Sequence, residues 1–274
     1  MIKSSIIISF YNKLEYLELI LISLENQVFK DFEIIIADDG SSQKIVEELE
    51  QLLKKVSYPV LHIWQEDIGF RKNKILNQAI LKASSDYLIF IDGDCILHPE
   101  FVGEHFFNKK QNVCLTGRRV NLSEKITNEL NWEKVQNGFF QKKFYKIIYD
   151  GIFGKSFYVE KGFYFKNKMM REIFNKKQRG ILGCNFSLYK KDLLDINGFD
   201  ERYKAPSIGE DSDIQFRLEL NNVKVHSLNN IAIQYHLYHK LQPRPKENLL
   251  LFEKIKKQKS PATKFGIKTT KIAK

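Results

Sequence analysis

Over the first hundred residues the chain alternates between two hydrophobic rhythms. Unbroken apolar runs, SSIIISF (4–10), FEIIIADDGSS (32–42), YPVLHIWQ (58–65) and DYLIFIDGD (86–94), are separated by stretches whose apolar positions recur every three to four residues. Those stretches are NKLEYLELILISLENQ (12–27), QKIVEELEQLLKK (43–55) and FRKNKILNQAILKAS (70–84). Consecutive β-branched and aromatic residues fit strands buried on both faces, and the helical period fits amphipathic helices. Asn12 is placed to cap the first helix. The alternation predicts an α/β fold with a mostly parallel central sheet covered by helices on both faces.

Polar clusters fall at the carboxyl ends of the predicted strands: Ser9–Asn12, Asp38–Ser42, Gln65–Arg71 and Asp92–Asp94. Ligands of open α/β sheets bind in that position. Neither G-x-G-x-x-G nor G-x-x-x-x-G-K-[ST] occurs, which disfavours a dinucleotide-binding fold or a P-loop. VCLTGRRV (113–120) reads as one further strand, closing a segment 1–120. In 121–179 the regular alternation stops and aromatic residues are interleaved with lysines. It resumes in 180–240, where GEDSDIQFRLELNNVKVHSL (209–228) predicts a helix and then a strand, and NIAIQYHLYHK (230–240) is strand-like. A tail, 241–274, is rich in Lys and Pro with one helical piece, KENLLLFEKIKK.

Charge sharpens this division. The chain of 274 residues carries +11. Residues 240–274 hold eleven Lys/Arg against two Glu, and 134–177 hold eleven against three acids, so the remainder is net acidic. An acidic body with two basic segments is unlike a uniformly basic nucleic-acid binder, and no nucleic-acid partner is expected. The basic tail suits an anionic membrane surface, or is a solvated end. In 134–177 the twelve aromatics either form the core of a helical subdomain, or stack on sugars and touch the lipid of an acceptor. No apolar run approaches the ~20 residues of a membrane span, and the N-terminus lacks the features of a signal peptide. Cys95, Cys114 and Cys184, odd in number and far apart, fit a reduced, cytoplasmic chain without a zinc site.

Three motifs carry chemistry. In FIDGDC, Asp92 and Asp94 flank Gly93 behind a buried strand. Such carboxylates are hard oxygen ligands suited to Mg²⁺ or Mn²⁺, and such an ion commonly holds a diphosphate. A solvated turn is the alternative. GEDSD opens a helix with Glu210, Asp211 and Asp213. Asp213 is expected to complement the helix N-terminus, while another acid of the cluster could serve as a general base. YHLYH ends a strand with His236 and His239, either of which could complete a metal site; His62, His98, His105 and His226 are read as structural.

In combination and order, SIIISFYNKLEYLELILISLENQVFKDFEIIIADDGSS, EDIGFRKNKILNQAI with DYLIFIDGDC, and GCNFSLYKKDLLDINGFDE with GEDSDIQFRL resemble glycosyltransferase family 2, with the GT-A fold. The last part is similar to the galactosyltransferase-type portion of bacterial chondroitin and hyaluronan polymerases. The resemblance covers about 4–120 and 180–240. It implies a nucleotide-sugar-binding half in 1–120 and an acceptor and catalytic half in 180–240. Residues 121–179 would then be an insertion that contacts acceptor or membrane, and 241–274 a basic tail. It implies that Ser9, Tyr11 and Asp39 hold the uridine of a UDP-sugar and that Arg71 and Lys74 approach the diphosphate. Asp94 is implied as the more direct metal ligand, Asp92 as the one nearer the ribose, His236 as the third ligand and His239 as second choice. Asp211 matches the general base, and Glu210 contacts a sugar. Relatives carry an Ala-Arg-Asn run where this chain has FRKNKILNQ, so which basic residue meets the phosphates stays open. The expected activity is inverting, Mn²⁺- or Mg²⁺-dependent transfer of a hexose or N-acetylhexosamine to a glycan or lipid-linked acceptor, in capsule or lipopolysaccharide synthesis. The expected location is the inner face of the cytoplasmic membrane, peripherally bound. A sugar-1-phosphate nucleotidyltransferase would need a Gly-rich N-terminal loop, which SFYNKLEY is not. A non-enzymatic nucleic-acid or membrane-binding protein would leave the acid and histidine clusters unexplained.

Overall fold

Ile6, Ile7 and Ile8 are each wholly buried because β1 (Ser4–Phe10) runs up the middle of a sheet covered on both faces. The computed structural model describes residues 1–177, 179–205, 210–240 and 245–269. In it β1 lies between β2 (Phe32–Asp38) and β4 (Tyr87–Asp92), both parallel to it. β3 (Val60–Trp64) continues the parallel run outside β2. On the other side, β8 (Asn185–Tyr189) inserts antiparallel between β4 and β6 (Val113–Thr116), and β9 (Lys224–Ser227) closes the edge. The order is β3-β2-β1-β4-β8-β6-β9, the mostly parallel sheet that the strand pattern predicts.

Alternate strand residues feed two core layers, as the two-residue period of a strand requires. Ile6, Ile8, Ile34 and Ile36 pack under α1 (Leu14–Glu25), α2 (Gln43–Leu53) and α4 (Phe101–Phe107). Ile7, Ile35, Leu88 and Phe90 pack under α3 (Lys72–Lys82), α10 (Lys190–Asp195) and α11 (Glu210–Leu220). Several local expectations change. Asn12 does not cap α1. It adopts the left-handed region (φ 56°), donates its N–H to Ser41 Oγ and accepts from the Ser42 N–H, so it ties the turn after β1 to the turn after β2.

VCLTGRRV is two strands in two sheets. The chain breaks at Gly117, where a Cβ would lie 2.4 Å from Ala232 O, and resumes as β7 (Arg118–Asn121). β7 joins a three-stranded sheet, β5-β10-β7, with β5 (Cys95–Leu97) and β10 (Ile233–His236). β5, only three residues long, has too little pattern to be read from sequence. Asn185 stitches the two sheets together: its Oδ1 accepts from Gly117 N and its Nδ2 donates to Arg118 O and Ala232 O. His105, read as structural, meets the same Oδ1 at 3.0 Å.

Residues 121–179 form helices α5 (Glu124–Glu129), α6 (Trp132–Gln136), α7 (Phe139–Lys142), α8 (Phe144–Phe153) and α9 (Lys168–Asn175). Phe139, Phe140 and Ile147 build a third core against Ile96, Val120, Ile233 and Tyr235. Only part of the aromatic content is core, however. The tail is built into the body: on α12 (Lys246–Gln258) Ile255 is buried and Phe252 meets Phe216, while Ile267 enters the layer under α3. Gly209 of the acid cluster and tail residues 241–244 and 270–274 lie outside the described residues. Among the described residues no helix is long and apolar enough to cross a membrane.

Candidate functional site

Parallel register places Ser9 of β1 beside Asp92 of β4 at the carboxyl end of the sheet, and Ser9 Oγ donates to Asp92 Oδ1 at 2.5 Å. Lys72, the first residue of α3, brings its ammonium to 3.1 Å from the same oxygen and 3.5 Å from Glu210 Oε1. Glu210 and Asp211 enter from the opposite half of the chain, at the start of α11. Asp211 Oδ2 accepts the Gly183 N–H at 2.9 Å; a Cβ on residue 183 would lie 2.2 Å from the other carboxylate oxygen, so only glycine allows this approach. Ser9, Lys72, Asp92, Gly183, Glu210 and Asp211 line one cavity, floored by Phe90 and Phe186.

Burial sets the protonation of these acids. It pushes Glu210 up to about 7, opposed by Lys72 and reinforced by Asp211 and Asp92. Asp211 is also raised by burial, against the pull of Lys72 and the Gly183 N–H. Burial disfavours the Lys72 ammonium, yet Asp92, Glu210 and Asp211 together hold its pKa well above the ordinary lysine value. One cation is thus shared among three carboxylates.

The second cluster forms where β10 pairs with β5, His236 lying opposite Cys95. His236 Nε2 is 3.3 Å and His239 Nε2 3.1 Å from Asp94 Oδ2. Burial works against the Asp94 carboxylate, but the two imidazoles hold it far below the usual range. The hydrogen bond to Asp94 raises His239. Two donors each ~2.1 Å from an octahedral ion stand about 3 Å apart, so Asp94 paired with either imidazole fits a divalent ion, and the group whose ligand atoms all lie within 4.8 Å of one another is Asp94, Cys95 and His236, without His239. The Cys95 Sγ is also near, within 4.8 Å of Asp94 and His236 ligand atoms, but burial keeps its thiol protonated and it donates to Asp94 Oδ1. Asp92 does not converge on this cluster, because Ser9 and Lys72 engage its Oδ1.

Asp39 lies at the third strand end. Gln65 Nε2 donates to it at 2.6 Å and the Arg71 N–H at 2.8 Å, and burial raises its pKa despite both. Tyr11, half-exposed, donates its hydroxyl to Asp67 at 2.9 Å. The Arg71 guanidinium turns to the Glu66 carbonyl, and Lys74 is not among the residues lining the acid cavity. Of the basic residues in FRKNK, Lys72 is the one that lines the acid cavity, and no sequence signal separated it from Arg71 and Lys74. Arg119 was also missed. It donates to Cys184 Sγ at 3.2 Å and lies within the field of Asp94 and Asp92. The clue was the Arg118-Arg119 pair itself, at the end of an apolar run and ahead of the buried Val120. Asp213 stands in the first turn of α11, where it complements the helix N-terminus, and it also pairs with Arg217 at 2.7 Å, both 1% exposed, while Arg217 holds the Ile196 and Gly198 carbonyls.

Comparison with known proteins bears on this geometry. The description "Glycosyl transferase family 2" matches residues 5–179, and "N-terminal domain of galactosyltransferase" matches 167–240. The first match runs through 121–179, which the motif resemblance left uncovered. The chain is 28% identical over 257 residues to chondroitin synthase of Escherichia coli, covering 89% of this chain and 35% of that protein. It is 33% identical over 95 residues to a GalNAc(5)-diNAcBac-PP-undecaprenol beta-1,3-glucosyltransferase of Campylobacter jejuni, covering 34% of this chain and 29% of that protein. It therefore spans about a third of the length of these relatives. Among solved structures it is similar to S. aureus TarS 1-349 in complex with UDP-GlcNAc (TM-score 0.57, 18% identity, 94% of this chain and 65% of that one). It is also similar to a mannosyltransferase from Pyrobaculum calidifontis in complex with GDP-Man and Mn²⁺ (TM-score 0.57, 10% identity, 87% and 57%). At those identities the likeness shows the GT-A fold.

Proposed function

This chain belongs to glycosyl transferase family 2, and from that premise we propose that it transfers a hexose or N-acetylhexosamine from a UDP-sugar, with inversion, to a hydroxyl of a glycan or lipid-linked acceptor in bacterial surface polysaccharide synthesis. The observation that carries the reading is that two acid clusters, one on each side of the Asp92-Gly93-Asp94 turn, lie within the field of one arginine, Arg119. Asp211 stands on the α11 side with a raised pKa, and Asp94 stands with His236 and His239 on the other.

Asp211 is the base. Held by the Gly183 N–H on one oxygen, it takes the acceptor proton on the other as the hydroxyl attacks the anomeric carbon, a contribution of about 10²–10⁴-fold. One base and one in-line displacement invert the centre. Glu210 orients a sugar hydroxyl. Asp39 and Tyr11 hold the uridine, and Ser9 with Asp92 faces the ribose. Of the basic residues in FRKNK, Lys72 is the one whose ammonium stands in the site, and it meets the diphosphate in place of Arg71 and Lys74. Asp94 with His236, and His239 beside them, would hold Mn²⁺ or Mg²⁺, which when bound neutralises the leaving UDP. TarS bound to UDP-GlcNAc and the mannosyltransferase bound to Mn²⁺ support the donor class and the metal. The Campylobacter relative, named for an undecaprenol-linked substrate, supports a lipid-linked acceptor. A membrane contact through the tail would combine its charge with the exposed Leu249 and Leu250 of α12, since Ile255 and Ile267 pack inside.

The test is UDP release from a panel of UDP-sugars, with Mn²⁺ and with chelator. Slow, metal-dependent release from one donor is expected. Release from none, with no UDP-sugar binding, would overturn the donor assignment and send the search to GDP- and CMP-sugars.

A further inference from the structure

Helices on a soluble surface normally turn apolar side chains inward and polar ones to water. In the 121–179 insertion α9 does the reverse, and α8, which buries Ile147, otherwise turns an acid inward and most of its apolar side chains outward. On α9 no side chain is buried. The helix is pinned to the body by polar residues: Arg171 makes a bidentate pair with Glu104, and Asn175 bonds the Asn229 backbone. Met169 and Ile173, one turn apart, are left facing out at 63% and 50% exposure. On α8 the acid points in, Asp150 accepting from the Ser156 hydroxyl and N–H, while Tyr145, Tyr149, Ile152 and Phe153 point out. Phe157 and Tyr158 extend this face along a groove lined by Ile152 and Phe163.

Ten of the twenty-four exposed large apolar side chains among the described residues fall in 134–177. The same stretch carries eleven Lys/Arg. Lys142, Lys143, Lys155, Lys166 and Lys168 are exposed around the apolar side chains. Of its three acids, Asp150 is turned inside and Glu160 pairs with Lys161. An apolar face rimmed by cations is complementary to one kind of surface, anionic headgroups over acyl chains.

We propose that the outer face of α8, the loop through Tyr158 and α9 docks on an anionic phospholipid bilayer. The insertion, rather than the tail, is then the membrane contact. On α12 Phe252 and Ile255 are taken up by packing on the body and Leu249 and Leu250 alone are exposed, whereas Tyr145, Tyr149, Ile152, Phe153, Phe157 and Tyr158 are all exposed on and beside α8. Docking also has a direct path to the site. The Phe157 backbone pairs with Asn121 at the end of β7, the strand that carries Arg119. The inference concerns the surface alone and stands whether or not the donor reading holds.

The experiment is co-sedimentation of the full chain with vesicles of phosphatidylcholine alone, or with about a third phosphatidylglycerol. Three proteins are compared: wild type, a Tyr149→Ser/Phe153→Ser/Phe157→Ser variant, and a tail variant, Lys254→Ser/Lys257→Ser/Lys259→Ser. We expect wild type to bind the anionic vesicles, more weakly in high salt. The aromatic variant should lose about tenfold or more and the tail variant less than about threefold. Met169→Ser/Ile173→Ser, at exposed positions on a separate helix, should weaken binding in the same direction. The urea unfolding midpoint of the aromatic variant should stay at the wild-type value, which shows that its fold is intact whatever donor the protein uses. Vesicle binding that survives the aromatic substitutions, or is lost only with the tail lysines, overturns the proposal. So does no binding by wild type, even with UDP release intact. A dimer that dissociates on the aromatic substitutions would make the face a contact between copies, and also overturns it.

Discussion

At the scale of single residues, the site is governed by how one ammonium is divided among three carboxylates. Glu210 and Asp211 each hold a proton at a pH where the unfolded chain has released it. Between the ordinary glutamate value and about 7, the native state therefore binds more proton than the unfolded state at Glu210, and its contribution to stability falls as pH rises through that window. For Asp211, the base we propose, a shift in the same direction sets the acid limb of activity, so kcat/KM should begin to fall with decreasing pH above the ordinary aspartate value. Lys72→Met removes the opposing cation. The limb should then move up by about one pH unit or more, read from the pH profile of UDP-sugar turnover; an unmoved limb would mean that Lys72 does not set the charge of Asp211. Asp211→Asn should keep nucleotide binding and lose about 10²–10⁴ in transfer rate. Transfer at the native rate would remove Asp211 from the role of base. Asp94→Ala should abolish the Mn²⁺ dependence of donor binding, measured by calorimetry with and without chelator. The acids and histidines were legible because strand ends and a helix start advertise them. Lys72 was not, because three basic residues in FRKNK look alike until the helix start fixes which one points at the acids. Cys95 was hidden for a different reason: its place beside His236 depends on pairing between residues 95 and 236.

At the scale of elements, α11 carries Asp211, the base we propose, and its anchorage is the Asp213–Arg217 pair. The i,i+4 spacing reads equally well as a surface ion pair or a dipole complement, and only tertiary packing buries it. Arg217→Met should cost about 3–5 kcal/mol in urea unfolding, because it strands a buried carboxylate and frees two carbonyls. The double change Arg217→Met/Asp213→Leu should recover most of that loss. A single mutant as stable as wild type would show that the pair is solvated in solution. The long buried strands and α1–α3 were legible for an equally physical reason: residues such as Ile34–Ile36 have no soluble alternative to a covered sheet. The small sheet was not, since its three strands come from residues 95–97, 118–121 and 233–236 and have no local signal for one another.

At the scale of the whole molecule, the division into 1–120, 121–179 and 180–240 follows chemistry and not the architecture. β6 lies within the first segment, yet its partners are β8 and β9 from the third. Residues 1–120 expressed alone should therefore show no cooperative urea transition, and a sharp transition would refute this interdependence. The insertion's basic, aromatic composition was legible from sequence, but which of its aromatics face out was not, because Asp150 and Arg171 reverse the usual rule. The placement of β8 also has a consequence for synthesis. A chain emerging from the ribosome assembles β1 to β4 early, but Phe90 must wait for Phe186, on which its ring stacks at 4.6 Å. At ~5–20 residues per second that wait is on the order of ten seconds. Throughout it β4 presents an unpaired edge that is apolar from Leu88 to Ile91, so the nascent protein should lean on chaperones over just that interval.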